Sequence, residues 1–333
     1  MRAFITGIAG FAGNYLADLL LRNGLDVHGL SEEAEFRPFL PIDSRVIHYA
    51  SIDIQNQRRV GEFLSAVRPD LVFHLAAKSS PSRSLNHPGE TFAVNFGGTL
   101  AVLEAIRLHK IPCRFLLVSS SHVYGGGWIT QESQPVTEEA PLRPESPYAA
   151  SKAASEMAAF QYWKSYGIET VIVRAFNHSG PGQGPGFVCP DLARKVVEIE
   201  RGLRAPRLEV SGLRRQIDFS DVRDVVLGYY RALVTGSPGS IYNICSGKLV
   251  TIKAITEVFL EGSPRSISVV PSSSESEAKG RPGILGDNSR AQRELGWEPS
   301  VPFERTVKEV IQYTRQTYPV DSSVDEVLRA PKS

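Results

Sequence analysis

"FITGIAGFAG", Phe4 to Gly13, decides how this chain folds. An apolar run gives way to Gly7, Gly10 and Gly13, and the helical pattern "NYLADLLLRNG" follows directly. Glycines at a strand-to-helix junction permit a tight turn and a close backbone approach to a pyrophosphate, with helix N-terminal amides aimed at negative charge. Glycine spacing alone would also suit an ordinary turn or close helix packing. Its position after the opening strand, with Phe11 and Ala12 between the last two glycines, favours a dinucleotide-binding turn.

Working outward, short apolar runs alternate with helical patterns: "LDVHGL", "QRRVGEFLSAV", "DLVFHLAA", "TFAVNFGGTLAVLEAIRLHK" and "RFLLVSSS". Continuous apolar strands between amphipathic helices indicate βαβ units around a parallel sheet covered on both faces. The fold class expected is α/β: a doubly wound (Rossmann) parallel sheet with a smaller, partly interleaved α/β substrate-binding domain. After "ETVIVRAFN" the texture turns Gly- and Pro-rich in "HSGPGQGPGFVCP". The expected boundaries are 1–176 for the dinucleotide domain, with 220–245 returning to it, then 177–219 and 246–318 for the second domain. "SSSESEAKG" is expected to be a solvated loop and 319–333 a polar tail.

The 333 residues, 42% hydrophobic, can bury a full core. Lysine plus arginine number 37 against 36 aspartate plus glutamate, so no global field calls for nucleic acid or an anionic membrane as partner. A small-molecule partner fits better. The three cysteines, Cys113, Cys189 and Cys245, lie far apart without zinc-ligand spacing, so no metal site or disulfide framework is expected. No apolar stretch approaches membrane-spanning length and no leader pattern is present, so the expectation is a soluble, cytoplasmic protein.

The second strand runs into Ser31, Glu32 and Glu33, where an acid would bind the adenosine ribose of NAD and repel the 2′-phosphate of NADP. Charge therefore leans towards NAD(H) over NADP(H), although Ser31 and Arg37 offer hydrogen bonds to a phosphate. Asp53, beside Ile54, either reaches the adenine amino group or caps a helix in "SIDIQNQ".

"SPYAASKAASEMAAF", Ser146 to Phe160, has a capping Ser146, Pro147 in the first turn and, beyond it, Gly167 as a stop. Such a helix places Tyr148 and Lys152 one turn apart on one face. "RFLLVSSSHVYGG" ends a strand in three serines, and strand C-termini are where ligands bind in doubly wound sheets. Ser120 and Tyr148 can then share one crevice. There Lys152 is expected to lower the Tyr148 pKa from roughly 10 towards working pH, so that the phenol exchanges a proton with a sugar oxygen.

These motifs, with "HLAAKSS", "VIVRAFNHSGPGQGPGF", "DFSDVRD" and "LGWEPSVPFERTV", resemble the extended short-chain dehydrogenase/reductases that act on nucleotide-activated sugars. The likeness spans nearly the whole chain and is nearest to the GDP-mannose branch: 4,6-dehydratases and GDP-4-keto-6-deoxy-D-mannose reductases, the latter above all. It implies a catalytic trio of Ser120, Tyr148 and Lys152, with His74 to Ala77 (Leu75 and Ala76 included) and Asn95 at the cofactor. It further implies Lys78, Ser79, Ser80, Ser121, Asn177, Val188 and Arg194 at the substrate. A homodimer through a four-helix bundle is implied as well, built from residues 90–109 and 146–166 of each copy.

Two departures bear on the reaction. Dehydratases of this kind carry glutamate two residues after the catalytic Ser or Thr; here that position is His122, either an acid/base group or a plain cleft residue. The usual Arg directly before Asp-Phe is Ile217, leaving Arg215 or Arg281 to hold a phosphate. The resemblance therefore implies NAD(P)H-dependent reduction of a nucleotide-linked 4-keto-6-deoxyhexose, GDP-4-keto-6-deoxy-D-mannose to GDP-D-rhamnose. A nucleotide-sugar 4-epimerase is the alternative, followed by a dehydratase and an inactive dinucleotide-binding regulator.

Overall fold

A computed structural model describes residues 1–126, 134–272 and 283–319; the 319–333 tail beyond Pro319 and most of "SSSESEAKG" fall outside them. The chain begins with β1 (Arg2–Thr6), α1 (Phe11–Arg22), β2 (Asp26–Ser31), β3 (Ile47–Ser51), α2 (Gln57–Val67) and β4 (Leu71–His74). It continues through the short α3 (Pro81–Asn86) and α4 (Pro88–Phe92), then α5 (Gly98–Leu108), β5 (Arg114–Ser120), α6 (Pro147–Tyr166) and β6 (Glu169–Ala175). Next come β7 (Asn177–Ser179), α7 (Val188–Glu200), β8 (Arg207–Val210), β9 (Gln216–Asp221), α8 (Val222–Thr235) and β10 (Ile241–Ile244). The last are β11 (Leu249–Thr251), α9 (Ile252–Leu260), β12 (Ser268–Pro271), α10 (Ser289–Leu295) and α11 (Phe303–Thr317).

Seven parallel strands form the main sheet in the order β10-β6-β5-β4-β1-β2-β3. Its direction of winding reverses between β1 and β4, so the strand ends there open a crevice. Both faces are apolar, as a parallel sheet under helices requires. One buries Leu16, Leu20, Val225, Tyr229 and Trp297 beneath α1, α8 and α10; the other buries Val60, Leu64, Val102, Ile106 and Tyr162 beneath α2, α5 and α6. After β6 the chain leaves the sheet, builds β7 to β9, and returns through α8 to set β10 beside β6. Outside the sheet, α7, α9 and α11 pack around Leu192, Val196, Ile255, Phe259, Val307 and Val310. "LGWEPS" secures the return: Trp297 Nε1 donates to the Asp224 carbonyl at 2.8 Å, and the Asp224 carboxylate accepts from Ser300 and Val301.

α6 keeps the terminal signals of its sequence. Ser146 Oγ accepts from the Ala149 amide at 3.2 Å, and Gly167 closes the helix at φ +70°. The long helical stretch expected over 90–109 runs from Pro88 to Leu108, but Ala93–Gly97 widens into a π turn between α4 and α5. By length and composition alone, residues 88–108 are apolar enough to cross a membrane, contrary to the reading of the sequence. Here they are a core element: 56% of their apolar window is buried, with α5 packed against α2 and α6.

Beneath α6 lies a buried ion pair. Arg174 on β6 grips Glu156 with Nη2 to Oε2 at 2.7 Å and Nε to both oxygens, the two side chains being 3% and 0% exposed. Arg174 Nη1 also donates to Tyr124 and to the Glu138 carbonyl, and Ser119 Oγ donates to Glu156. Removing one partner strands a buried charge, which costs about 3–5 kcal/mol. Glu156→Leu is expected to lower the unfolding free energy by that amount in urea titrations, and Glu156→Leu with Arg174→Met to recover much of the loss.

Candidate active site

The crevice at the strand C-termini is a cleft of about 910 Å³ that runs from the glycine turn to β7 and the segment before α7. At one end, Gly7 adopts φ +74°, and a Cβ there would sit 2.9 Å from the Ala76 amide nitrogen. A Cβ on Gly13 would meet the Gly7 carbonyl at 2.3 Å. Gly10 heads α1 with no side chain capping its first turn, leaving the helix N-terminus open to a phosphate. Asn14 holds the turn, its Nδ2 lying within 3.2 Å of the Ile8, Ala9 and Gly10 carbonyls. The donor set and the cradle fit a dinucleotide pyrophosphate. Gly7, Gly10, Phe11, Ala12, Gly13, Ser31, Glu32, Asp53, Ile54, Leu75, Ala76 and Ala77 all line this part of the cleft.

Several neighbours have employment within the protein. Ser31 Oγ accepts from the Ala9 amide at 3.0 Å, and Arg37 pairs with Glu35 in solvent. Asp53 turns back to accept from the Gln55 amide at 2.9 Å, and α2 is capped by Asn56 instead. Lys78, expected at the substrate, has its ammonium between Glu32 at 3.5 Å and Glu90 at 3.4 Å, on the ribose side. Its long side chain follows the carboxylates. Asn95 does not line the cleft: from the π turn it accepts from the Lys78 amide at 2.8 Å and donates to Ser151, fixing the loop after β4. His74 is also behind the wall, between Thr6 and Thr99, where burial and the Lys152 charge push its pKa down to about 3.

At the other end, β5 delivers Ser120 and α6 delivers Tyr148 and Lys152 to one wall. Ser120 Oγ accepts from the His122 amide at 3.2 Å and faces the Tyr148 phenol, whose pKa it draws down. The start of α6 is fixed by Ser84, whose Oγ accepts from the Tyr148 amide at 3.2 Å. The Tyr148 pKa moves opposite to the lowering expected from Lys152. Burial pushes the phenol up and Ser120 opposes it, while the Lys152 ammonium donates to the Val118 carbonyl at 2.8 Å. Burial lowers Lys152 itself to about 8, against the pull of Glu156.

His122 stands edge-on to Tyr148, ring centroids 6.0 Å apart. Its ring meets solvent at the cleft, yet surrounding protein, and then Arg215, depress its pKa, so it is neutral at pH 7. Ser79, Ser121, Asn177, Val188 and Arg215 also face the cleft; Asn177 donates weakly to the Asp218 carbonyl at 3.4 Å. Two expected substrate residues do not. Ser80 caps α3 through the Arg83 amide, and Arg194 is tied to Glu198 one turn along α7 at 2.9 Å. Arg281 lies outside the described residues. Asn14, Ser84 and Glu156 went unread in the sequence. Glu156 alone carried a signal, since a charge inside "AASEMAAF" needs a partner and "VIVRAF" supplies one.

A seven-stranded parallel sheet whose crevice joins a glycine turn to a Ser/Tyr/Lys cluster defines an extended short-chain dehydrogenase/reductase. Within that class the chain belongs to the GDP-mannose 4,6-dehydratase family, whose sequence profile matches residues 4–310. It is 30% identical to GDP-6-deoxy-D-mannose reductase of Pseudomonas aeruginosa over 93% of this chain and 96% of that one. With GDP-mannose 4,6 dehydratase 1 of Arabidopsis thaliana it shares 29% identity over 93% and 88%. Among solved structures, RMD from Pseudomonas aeruginosa complexed with NADPH superposes with TM-score 0.81 at 29% identity, covering 95% of this chain and 99% of that one. UDP-glucose 4-epimerase of Thermus thermophilus in complex with NAD gives 0.81 at 28%, covering 95% and 100%.

The depressed Lys152 pKa has a consequence for stability. Its folded value of about 8 lies below the unfolded value, so the unfolded chain binds more protons between the two. Lys152 therefore opposes folding below pH 8, and that penalty fades as pH rises towards the unfolded pKa. Relative to Lys152→Met, the wild type is expected to gain stability between about pH 8 and pH 10 in urea unfolding; a constant difference would contradict the buried ammonium.

Proposed function

We propose that this protein is an NAD(P)H-dependent reductase of a nucleotide-linked 4-keto-6-deoxyhexose, converting GDP-4-keto-6-deoxy-D-mannose to GDP-D-rhamnose. The observation that carries this reading is the meeting of Ser120 with a buried, protonated Tyr148 above Lys152, where residue 122 is a neutral histidine. A phenol kept protonated is the acid that carbonyl reduction needs, and dehydration has no carboxylate at residue 122. When bound, the nicotinamide supplies the hydride to sugar C4. Ser120 polarises the carbonyl, Tyr148 protonates the oxygen that was the carbonyl, and the Ser120 hydroxyl steadies the phenolate left behind, while Lys152 ties α6 to β5 through the Val118 carbonyl. Arg215 and Asn177 hold the nucleotide sugar.

At the adenosine end Glu32 and Glu33 both line the cleft against the single ammonium of Lys78, and Ser31 already receives the Ala9 amide, so NAD(H) is the preferred cofactor. Residues 1–176 with 220–245 act as the dinucleotide unit; 177–219 and 246–318 act as the sugar-nucleotide unit. The likeness to a UDP-glucose 4-epimerase favours epimerisation as the second reading. The two separate by stoichiometry: a reductase consumes one reduced cofactor per product, an epimerase none. Tyr148→Phe is expected to lower turnover on the order of 10²- to 10⁴-fold while cofactor binding persists, followed by absorbance of the reduced nicotinamide. Near-wild-type turnover would exclude the assigned acid.

The homodimer through α5 and α6 is part of the same proposal. Leu108, Met157 and Phe160 are 58%, 58% and 46% exposed on these helices, and Met157 and Phe160 share a helix face. Sedimentation velocity is expected to give a dimer that Met157→Glu with Phe160→Glu converts to monomer.

A further inference from the structure

At the opposite end of the sheet from the cleft, Asp26 and His28 occupy alternate positions of β2, hence one face of the strand. β3 lies parallel beside it with His48 paired in register to His28. The two imidazoles stack at 4.4 Å between centroids, and both turn Nε2 towards one carboxylate. His28 Nε2 is 3.1 Å from Asp26 Oδ2, and His48 Nε2 is 3.5 Å from Asp26 Oδ1. One potential ligand atom from each residue lies within 4.8 Å of the others. His28 Nε2 is enclosed yet has no aligned hydrogen-bond partner despite that approach. A buried nitrogen left so is costly unless something else occupies its lone pair.

We propose that Asp26, His28 and His48 form a binding site for a divalent transition-metal cation, with zinc as its representative. Ligands at about 2.0–2.2 Å from tetrahedral zinc stand roughly 3.3 Å from one another, close to the two measured nitrogen-to-oxygen separations. Two imidazoles and one carboxylate suit a borderline cation and disfavour magnesium or calcium, which take oxygen cages. His48 is 62% exposed and Asp26 46%, so the cation enters from solvent, and water fills the fourth position. Arg2 Nε, 3.8 Å from Asp26 Oδ2, is the one cation facing the cluster among the described residues; it must swing aside, which its 55% exposure permits. The bound ion cross-links the edge strand β3 to β2, whose far end carries Ser31 and the ribose-facing Glu32.

The test is calorimetric titration of zinc chloride into metal-stripped, tag-free protein, with His48→Ala and Asp26→Asn as variants. Neither residue lies in the cleft, and His48 is a surface side chain, so both variants are expected to fold and keep reductase activity. The wild type is expected to bind one zinc ion that each variant loses or binds at least about 10-fold more weakly. No wild-type binding at micromolar zinc would overturn the proposal. So would binding that survives unchanged in both variants, or magnesium binding in preference to zinc.

Discussion

The Glu156 to Arg174 ion pair is the contact on which the geometry of the cleft depends. It joins α6, the carrier of Tyr148 and Lys152, to β6; through Ser119 and Tyr124 it joins both to β5 and the turn after Ser120. Pairs this deeply buried contribute little net stability against an apolar replacement, because the desolvation of both charges offsets their attraction. What the pair contributes is position. With five hydrogen bonds converging on one guanidinium, α6 can neither slide nor rotate on the sheet without losing a charge partner.

The same carboxylate is one turn beyond Lys152, and its field partly opposes the burial that drives that ammonium towards neutrality. Val118 supplies the remaining compensation through its carbonyl. The floor of the cleft is thus a chain of buried polar groups, each satisfied by the next, while its walls are glycine backbone at one end and serine, aromatic and imidazole side chains at the other. Electrostatics divide the cleft in the same way. Glu32, Lys78 and Glu90 set the charge around the ribose end, and Arg215 and neutral His122 set it around the reacting end.

What the sequence made legible was mostly local. The glycine turn, the apolar strands and the Ser146 to Gly167 helix depend on neighbours within a few residues, so their signals are intact in the string. The Ser120, Tyr148 and Lys152 cluster was legible from motif order. Partner choice was not: the direction of the Lys152 ammonium, the capture of Lys78 by Glu32 and Glu90, and the tie of Arg194 to Glu198 depend on which side chains the fold brings near. β3 gave only a faint signal and none for its pairing, because "IHYAS" is a half-polar edge strand. The cost was the Asp26, His28 and His48 cluster, which exists only once β3 is paired.

The π turn at Ala93–Gly97 has a bearing on how the chain tolerates change. It holds one residue more per turn than its flanks, and each residue of a helix advances about 100°. The excess lets Asn95 face the loop after β4 while α5 keeps its apolar stripe on α2 and α6. Losing a single residue here would regularise the helix and remove the wide turn from which Asn95 reaches out. The loop after β4 would then lose its anchor. Length is therefore under tighter constraint than composition at this point of the chain.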